Sequence, residues 1–265
     1  MICFTAILLL ILCQVVRGIG GGEKAKEGEW PWIVSVFYKS NTDKSYSFIC
    51  GGSLIGQKWI ISAAHCFLDR APDATNEDKN KYVYKVHLGT LQTDAIDTNV
   101  VMRKLKRIIP HEKYSLNSVH FDIAVAELEE PVEMHDLIKN AALEAPNNVD
   151  VKDCMIAGWG KTAHNGPLST HLLTLKVPIV EHLDCVNMYK DIMLSNDVIC
   201  AGYVTDCRGT YYGDSGGPLM CKVSNAWVQV GVLSYSDSCP SYNDYKPSVF
   251  IRVKNYIGWI NTNTV

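Results

Sequence analysis

The sequence predicts an all-β protein, built as a sandwich or a barrel, with one helix at its C-terminus. Two observations carry this. Short stretches rich in β-branched and aromatic residues recur along the chain, broken by Gly, Pro and Asn. Helical periodicity is rare, and its best instance is the final segment. The chain of 265 residues is long enough to bury a sizeable core as one large domain or two smaller ones. Apolar content is 47%, charged content 20% and the formal net charge -3, with no basic block, so nucleic acid is excluded as a partner.

Taken in order, residues 1–18 are read as a signal peptide. The apolar run Ala6 to Cys13 is too short to span a bilayer, and Val16 and Gly18 precede Ile19 at positions that suit signal peptidase. Its removal takes away one positive charge, Arg17, and moves the net charge from -3 to -4. No later stretch is apolar enough to span a membrane, so a secreted, extracellular, soluble protein is expected. Strands are expected at Trp30 to Val36, Ser53 to Ser62, Tyr82 to Leu88, Met102 to Ile109 and Ile123 to Leu128. Further strands are expected at Met155 to Trp159, Leu172 to Val180, Pro218 to Cys221, Trp227 to Tyr235 and Val249 to Val253. Helices are expected over Glu181 to Tyr189 and Lys254 to Asn261, the second with Tyr256, Ile257 and Ile260 on one face. The polar stretch Asp69 to Lys81 reads as an exposed loop, and Glu130 to Val151 as a connection between two halves.

Eight cysteines follow the signal peptide: Cys50, Cys66, Cys154, Cys185, Cys200, Cys207, Cys221 and Cys239. An even count in a secreted chain implies disulfides, though spacing alone leaves their pairing open. No Cys/His cluster has zinc spacing, so no metal and no cofactor are expected.

Chemistry gathers in three places. Gly213-Asp214-Ser215-Gly216-Gly217-Pro218 surrounds one hydroxyl with residues that permit a tight turn and close approach to the backbone. Ser62-Ala63-Ala64-His65-Cys66 ends a strand with a histidine. Phe121-Asp122-Ile123-Ala124-Val125 puts an acid at the start of an apolar run, where it needs a partner. The order His, Asp, Ser on an all-β chain distinguishes one solution to the catalytic triad from others.

With these motifs the chain resembles the chymotrypsin/trypsin family of serine proteases. The resemblance also rests on Ile19-Gly20-Gly21-Gly22, Pro31-Trp32, Cys50-Gly51-Gly52-Ser53-Leu54, Gly158-Trp159-Gly160, Cys200-Ala201-Gly202 and Tyr256-Ile257-Gly258-Trp259-Ile260. It covers residues 19–265 and implies two six-stranded antiparallel β-barrels with the active site between them, at about 33–130 and 150–250, and a C-terminal helix at about 254–262. It implies Ser215 as nucleophile, His65 as general base and acid, and Asp122 as the residue that holds the imidazole tautomer. Gly213 and Ser215 would supply the oxyanion-hole N–H groups. Ser234-Tyr235-Ser236 would be the edge strand that pairs with substrate. The implied disulfides are Cys50–Cys66, Cys154–Cys221, Cys185–Cys200 and Cys207–Cys239. Polypeptide substrates, protein protease inhibitors as partners and a monomeric state complete the expectation.

Two flanks depart from the family pattern. The resemblance implies a freed Ile19 amine paired with Asp214, but Gly18 separates Arg17 from Ile19, so that amine would come from signal removal itself or from a short propeptide cut by a protease that accepts glycine. Gly20 stands where valine is usual. At the specificity pocket, a gapless register puts Gly209 at the base, with Thr210, Tyr212, Ser236 and Ser248 around it, and predicts uncharged P1 side chains. That register leaves Tyr211 in the usual cysteine position. A second register keeps Cys207 in place and brings Asp206 near the pocket, favouring basic side chains. In a third arrangement Tyr211 or Tyr212 fills the pocket. The calcium loop would fall around Thr90 to Val100, but Thr90 replaces one expected glutamate and no acid marks the other end. The competing functional class is a catalytically weak homologue that binds or signals.

Overall fold

The computed structural model describes residues 19–68, 82–93, 100–116, 118–143, 152–237 and 244–265. The signal peptide and the loop Asp69 to Lys81 therefore lie outside the described residues. Glu23–Lys24 forms β1, Ile33–Ser40 β2, Ser47–Gly56 β3 and Trp59–Ser62 β4. A one-turn helix α1 (His65–Leu68) precedes β5 (Tyr82–Leu88), β6 (Val101–Pro110) and β7 (Ala124–Leu128). The second half contains β8 (Lys152–Gly158), β9 (Leu173–Val177), β10 (Ile179–Val180) and α2 (His182–Met188). It continues with β11 (Val198–Ala201), β12 (Pro218–Val223), β13 (Ala226–Tyr235), β14 (Ser248–Arg252) and α3 (Ile257–Asn263).

The first half is a closed six-stranded barrel in the order β2-β3-β4-β7-β6-β5. Strand alternation sorts its side chains into two sets. Val34 and Val36 join Leu54, Ile60, Ile61, Val86 and Leu128 in the barrel core, whereas Ile33 joins Trp30, Ala157 and Trp159 outside it. Each fully buried aliphatic side chain contributes about 1.5–3 kcal/mol. The second sheet runs β1-β9-β8-β12-β13-β14-β11-β10. Apart from the added β1, its two ends, β9 and β10, belong to one extended segment. Pro178 has no N–H to give to a ladder, so it separates β9, which pairs with β8, from β10, which pairs with β11. The sheet thus comes back to the segment from which it started. The short β1 adds to β9.

Where sequence and structure differ, local chemistry explains it. The single strand expected over Ser53 to Ser62 is two strands joined at Gln57 and Lys58, a turn marked only by Gly56 just before it. The four-residue β11 is too short for alternation to reveal. The C-terminal helix begins as a 3-10 turn over Val253–Tyr256, and Tyr256 and Ile260 are its buried face.

The two halves meet at Trp159, which is buried and donates its indole N–H to Leu91 O at 3.0 Å. Disulfides join Cys50 to Cys66, Cys154 to Cys221 and Cys185 to Cys200. Cys207 is also disulfide-bonded, and Cys239 lies outside the described residues. The Cys50–Cys66 bridge ties α1 to β3 across a separation of 16 residues. Replacing both cysteines with alanine should cost about 3 kcal/mol by loop entropy. Thermal melts should show this as a fall in Tm of roughly 10 °C.

Candidate active site

After β4 the chain turns through Ala63 and Ala64, both fully buried, into His65. Small residues are required there. A Cβ on Gly216, which packs against this turn, would lie 2.5 Å from Gly51 O and 3.1 Å from Ala63 N. His65 faces Asp122 twice: its Nδ1 is 2.7 Å from Oδ2, and its backbone N–H donates to Oδ1 at 2.8 Å. The Asp122 carboxylate is 2% exposed and the imidazole 22%. A carboxylate at Nδ1 places the ring proton on that nitrogen and leaves the Nε2 lone pair to accept one. A third donor completes the acid, with Ser234 Oγ donating to Asp122 Oδ2 at 2.6 Å. Sequence reasoning assigned Ser234 to the substrate edge strand alone. Nothing in the linear motif links residues 112 positions apart.

Asp122 sits at the centre of a tight turn closed by Ile123 N–H to Phe121 O at 2.8 Å. Phe121 adopts φ 57°, a left-handed conformation that costs a bulky residue about 1–2 kcal/mol.

Ser215 lies on a turn fixed from both halves. Gly51 N–H of the first barrel donates to Ser215 O at 2.8 Å. Gly216 N–H donates to Leu233 O at 2.8 Å, and Leu233 N–H returns a bond to Gly217 O at 2.9 Å. Gly213 and Gly216 have φ of 98° and 75°, which glycine alone adopts without strain. Asp214 N–H donates to Tyr211 O and Gly217 N–H to Asp214 O, each at 3.0 Å, and the N–H groups of Gly213 and Ser215 take no part in those bonds.

The side chain of Asp214 points away from Ser215 into the second half, where it is 2% exposed. Gly160 N–H donates to its Oδ1 at 2.8 Å and Tyr211 N–H to its Oδ2 at 2.9 Å. A Cβ on Gly160 would come within 2.5 Å of this carboxyl, so glycine beside Trp159 makes room for it. Burial pushes the carboxyl up to about 7 against the two backbone donors. Ile19 is fully buried with φ 36° among Ile156, Leu219 and Phe250, and Gly20 O accepts from Gly209 N–H at 3.2 Å. No bond joins Ile19 to Asp214 among the described residues. With residue 18 attached, the Ile19 nitrogen is a peptide nitrogen without charge.

Of the residues expected around the pocket, three converge. Thr210 Oγ1 and Ser248 Oγ lie 2.7 Å apart, and Ser236 Oγ donates to Thr210 O at 2.9 Å. Gly209 is buried beside them in the chain, and Tyr235 is exposed at the C-terminal end of β13, a strand flanked by β12 and β14. Asp206 turns instead to Arg208, which it holds through both carboxylate oxygens. Tyr211 Oη donates to Cys207 O at 2.9 Å, and its ring lies where a Cβ on Gly20 would come within 2.6 Å of Cε2. Tyr212 is 60% exposed beneath Lys161.

Thr90 Oγ1 accepts from Gln92 N–H at 3.0 Å and closes its own turn, while 94–99 lie outside the described residues. Cys50, His65 and Cys66 group closely enough to suggest a metal, but both sulfurs are committed to a disulfide. A histidine–serine contact away from these residues, His120 with Ser195 at 3.3 Å, belongs to a turn in which Ser195 also bonds Asp197.

The family model described as Trypsin matches residues 19–260. Bovine (Bos taurus) coagulation factor XI is 32% identical over 253 residues, which are 95% of this chain and 38% of that protein. Mouse (Mus musculus) serine protease 28 is 33% identical over 256 residues, 92% of this chain and 88% of that protein. The chain therefore spans well under half of the first of these relatives and most of the second.

The Asp214 environment sets a pH dependence for protein that retains residue 18. The native carboxyl, at about 7, holds its proton more tightly than the unfolded one, near 3.8. Its contribution is complete below about pH 4 and is lost as pH rises to about 7, a total on the order of 4 kcal/mol. Urea unfolding of the full chain should show stability falling across that window, and Asp214→Asn should flatten the fall.

Proposed function

Because the chain belongs to the trypsin family of serine-type endopeptidases, we propose that it is a secreted protease that cleaves peptide bonds through Ser215, His65 and Asp122. The observation that carries this reading is the His65–Asp122 contact at 2.7 Å with its two further donors to the same carboxylate. Ser215 Oγ attacks the scissile carbonyl as its proton passes to His65 Nε2. The oxyanion that forms is met by the N–H groups of Gly213 and Ser215. His65 then gives the proton to the leaving amine, and an acyl group remains on Ser215 until water, activated by the same imidazole, releases it. Asp122 keeps the Nδ1 proton in place and stabilises the imidazolium.

Activity in this scheme depends on a cut before Ile19. The freed amine would give buried Asp214 the counter-charge it lacks while residue 18 is attached, and would order the neighbouring Gly213 turn. Removal of residues 1–18 would supply that amine directly. Secretion is supported by the disulfides and by the short apolar run at the N-terminus. No helix among the described residues is long and apolar enough to cross a membrane.

Uncharged P1 side chains of small or medium size fit the hydroxyls of Thr210, Ser236 and Ser248, and Asp206 is engaged by Arg208. Two measurements test the reading. A fluorophosphonate probe should label the mature protein at one site, and Ser215→Ala should abolish labelling and lower kcat at least about a thousandfold. An unlabelled but folded protein would favour a binding homologue. Cleavage of a peptide library should show uncharged residues at P1, and dominant cleavage after Arg or Lys would overturn the pocket assignment. N-terminal sequencing of active protein should begin at Ile19.

A further inference from the structure

The turn that carries Asp122 meets His65 through the carboxylate and a separate set of rings through its neighbour Phe121. Phe121, at φ 57°, is the strained residue of its turn. The ring of His111 stacks on Phe121 at 5.0 Å with planes 21° apart. Behind His111 lies Trp259 of α3, also at 5.0 Å. Tyr256 meets both His111 and Phe121 edge-on, at 5.4 and 6.3 Å. His111 is therefore clamped between the turn and the C-terminal helix, and is 8% exposed.

Its backbone reaches the same turn from the other end. His111 N–H donates to Ile123 O at 2.9 Å, so ring and main chain hold the residues before and after Asp122 together. The ring itself is oriented, because Nδ1 accepts from Lys113 N–H at 3.2 Å. Trp259 is oriented too, by its indole N–H to Glu112 Oε2 at 2.9 Å. An extended backbone at Phe121 would remove the strain but would pull its ring out of this stack and re-aim the next side chain. Left-handed torsion in a phenylalanine persists only where its surroundings over-determine it.

We infer that His111 is a positioning residue for Asp122, holding the strained turn that sets where the carboxylate meets His65. The inference rests on the catalytic role proposed above for Asp122. His111 touches no reacting atom, and α3 becomes part of the support of the active site.

The test compares His111→Ala, which removes the ring, and His111→Leu, which fills its volume without a planar face, with His111→Phe, which restores the stack. All are made in the mature enzyme. In the Ala and Leu variants, kcat and the rate of fluorophosphonate labelling should fall by about tenfold or more while KM stays within about twofold. The acidic limb of the kcat/KM profile should also move to lower pH, because an imidazolium that loses its carboxylate is less stable. His111→Phe should restore the rate to within about threefold and return the limb to its original position. An unmoved limb in Ala and Leu overturns the inference. So does failure of both to fold, which would make His111 a packing residue alone. Failure of the unaltered enzyme to label would instead remove the role of Ser215, a result that no His111 variant can mimic.

Discussion

Withdrawing a carboxylate from water is costly unless donors replace the lost hydration. This chain does so at two acids of the candidate site, and much of the surrounding structure answers to that requirement. Asp122 collects the imidazole and backbone N–H of His65 and the hydroxyl of Ser234. Asp214 collects two backbone N–H groups and, among the described residues, no side-chain donor. The difference in supply separates their roles. The first acid is fully served and can hold a neighbouring ring in one tautomer. The second is under-served while residue 18 remains attached, which leaves it ready for a cation.

These demands also explain how two halves of the chain make one site. Ser234, on β13, serves an acid that precedes β7 of the first barrel. Gly51, on β3, holds the carbonyl of Ser215 from the opposite side. Gly51 follows Cys50, and Cys50 is bonded to Cys66, next to His65. A continuous path of covalent and hydrogen bonds therefore runs from the histidine to the serine turn without passing through the loops between strands. Strands register to about an ångström, whereas loops do not, which suits a site whose parts must meet closely.

Much of this was legible in the sequence, and the limits have physical causes. Strands with β-branched cores such as Tyr82–Leu88 and Ala124–Leu128 announce themselves by composition. The hairpin turn at Gln57 and Lys58 does not, since Gly56 is its single marker and stands inside a run of strand-like residues. His65 and Ser215 stand out in the sequence because each carries its group among small residues, and Asp122 because an acid opens an apolar run. The donors that serve the acids could not. Ser234 is distant in sequence from Asp122, and the N–H groups of Gly160 and Tyr211 are backbone, invisible to side-chain pattern. The left-handed torsion of Phe121 is equally silent, because phenylalanine gives no sign of it. The pocket register stays open in the sequence, because which way Asp206 and Tyr211 face is a matter of local pairing rather than of spacing.

The contact between Gly20 and Tyr211 makes two distant positions answer to each other. In space they are one feature, since the tyrosine ring occupies the volume that a side chain at position 20 would need. A side chain at position 20 and the ring at its present place exclude one another. Glycine at position 20 is thus the condition for the ring, and any larger residue there would push Tyr211 from its bond to Cys207 O.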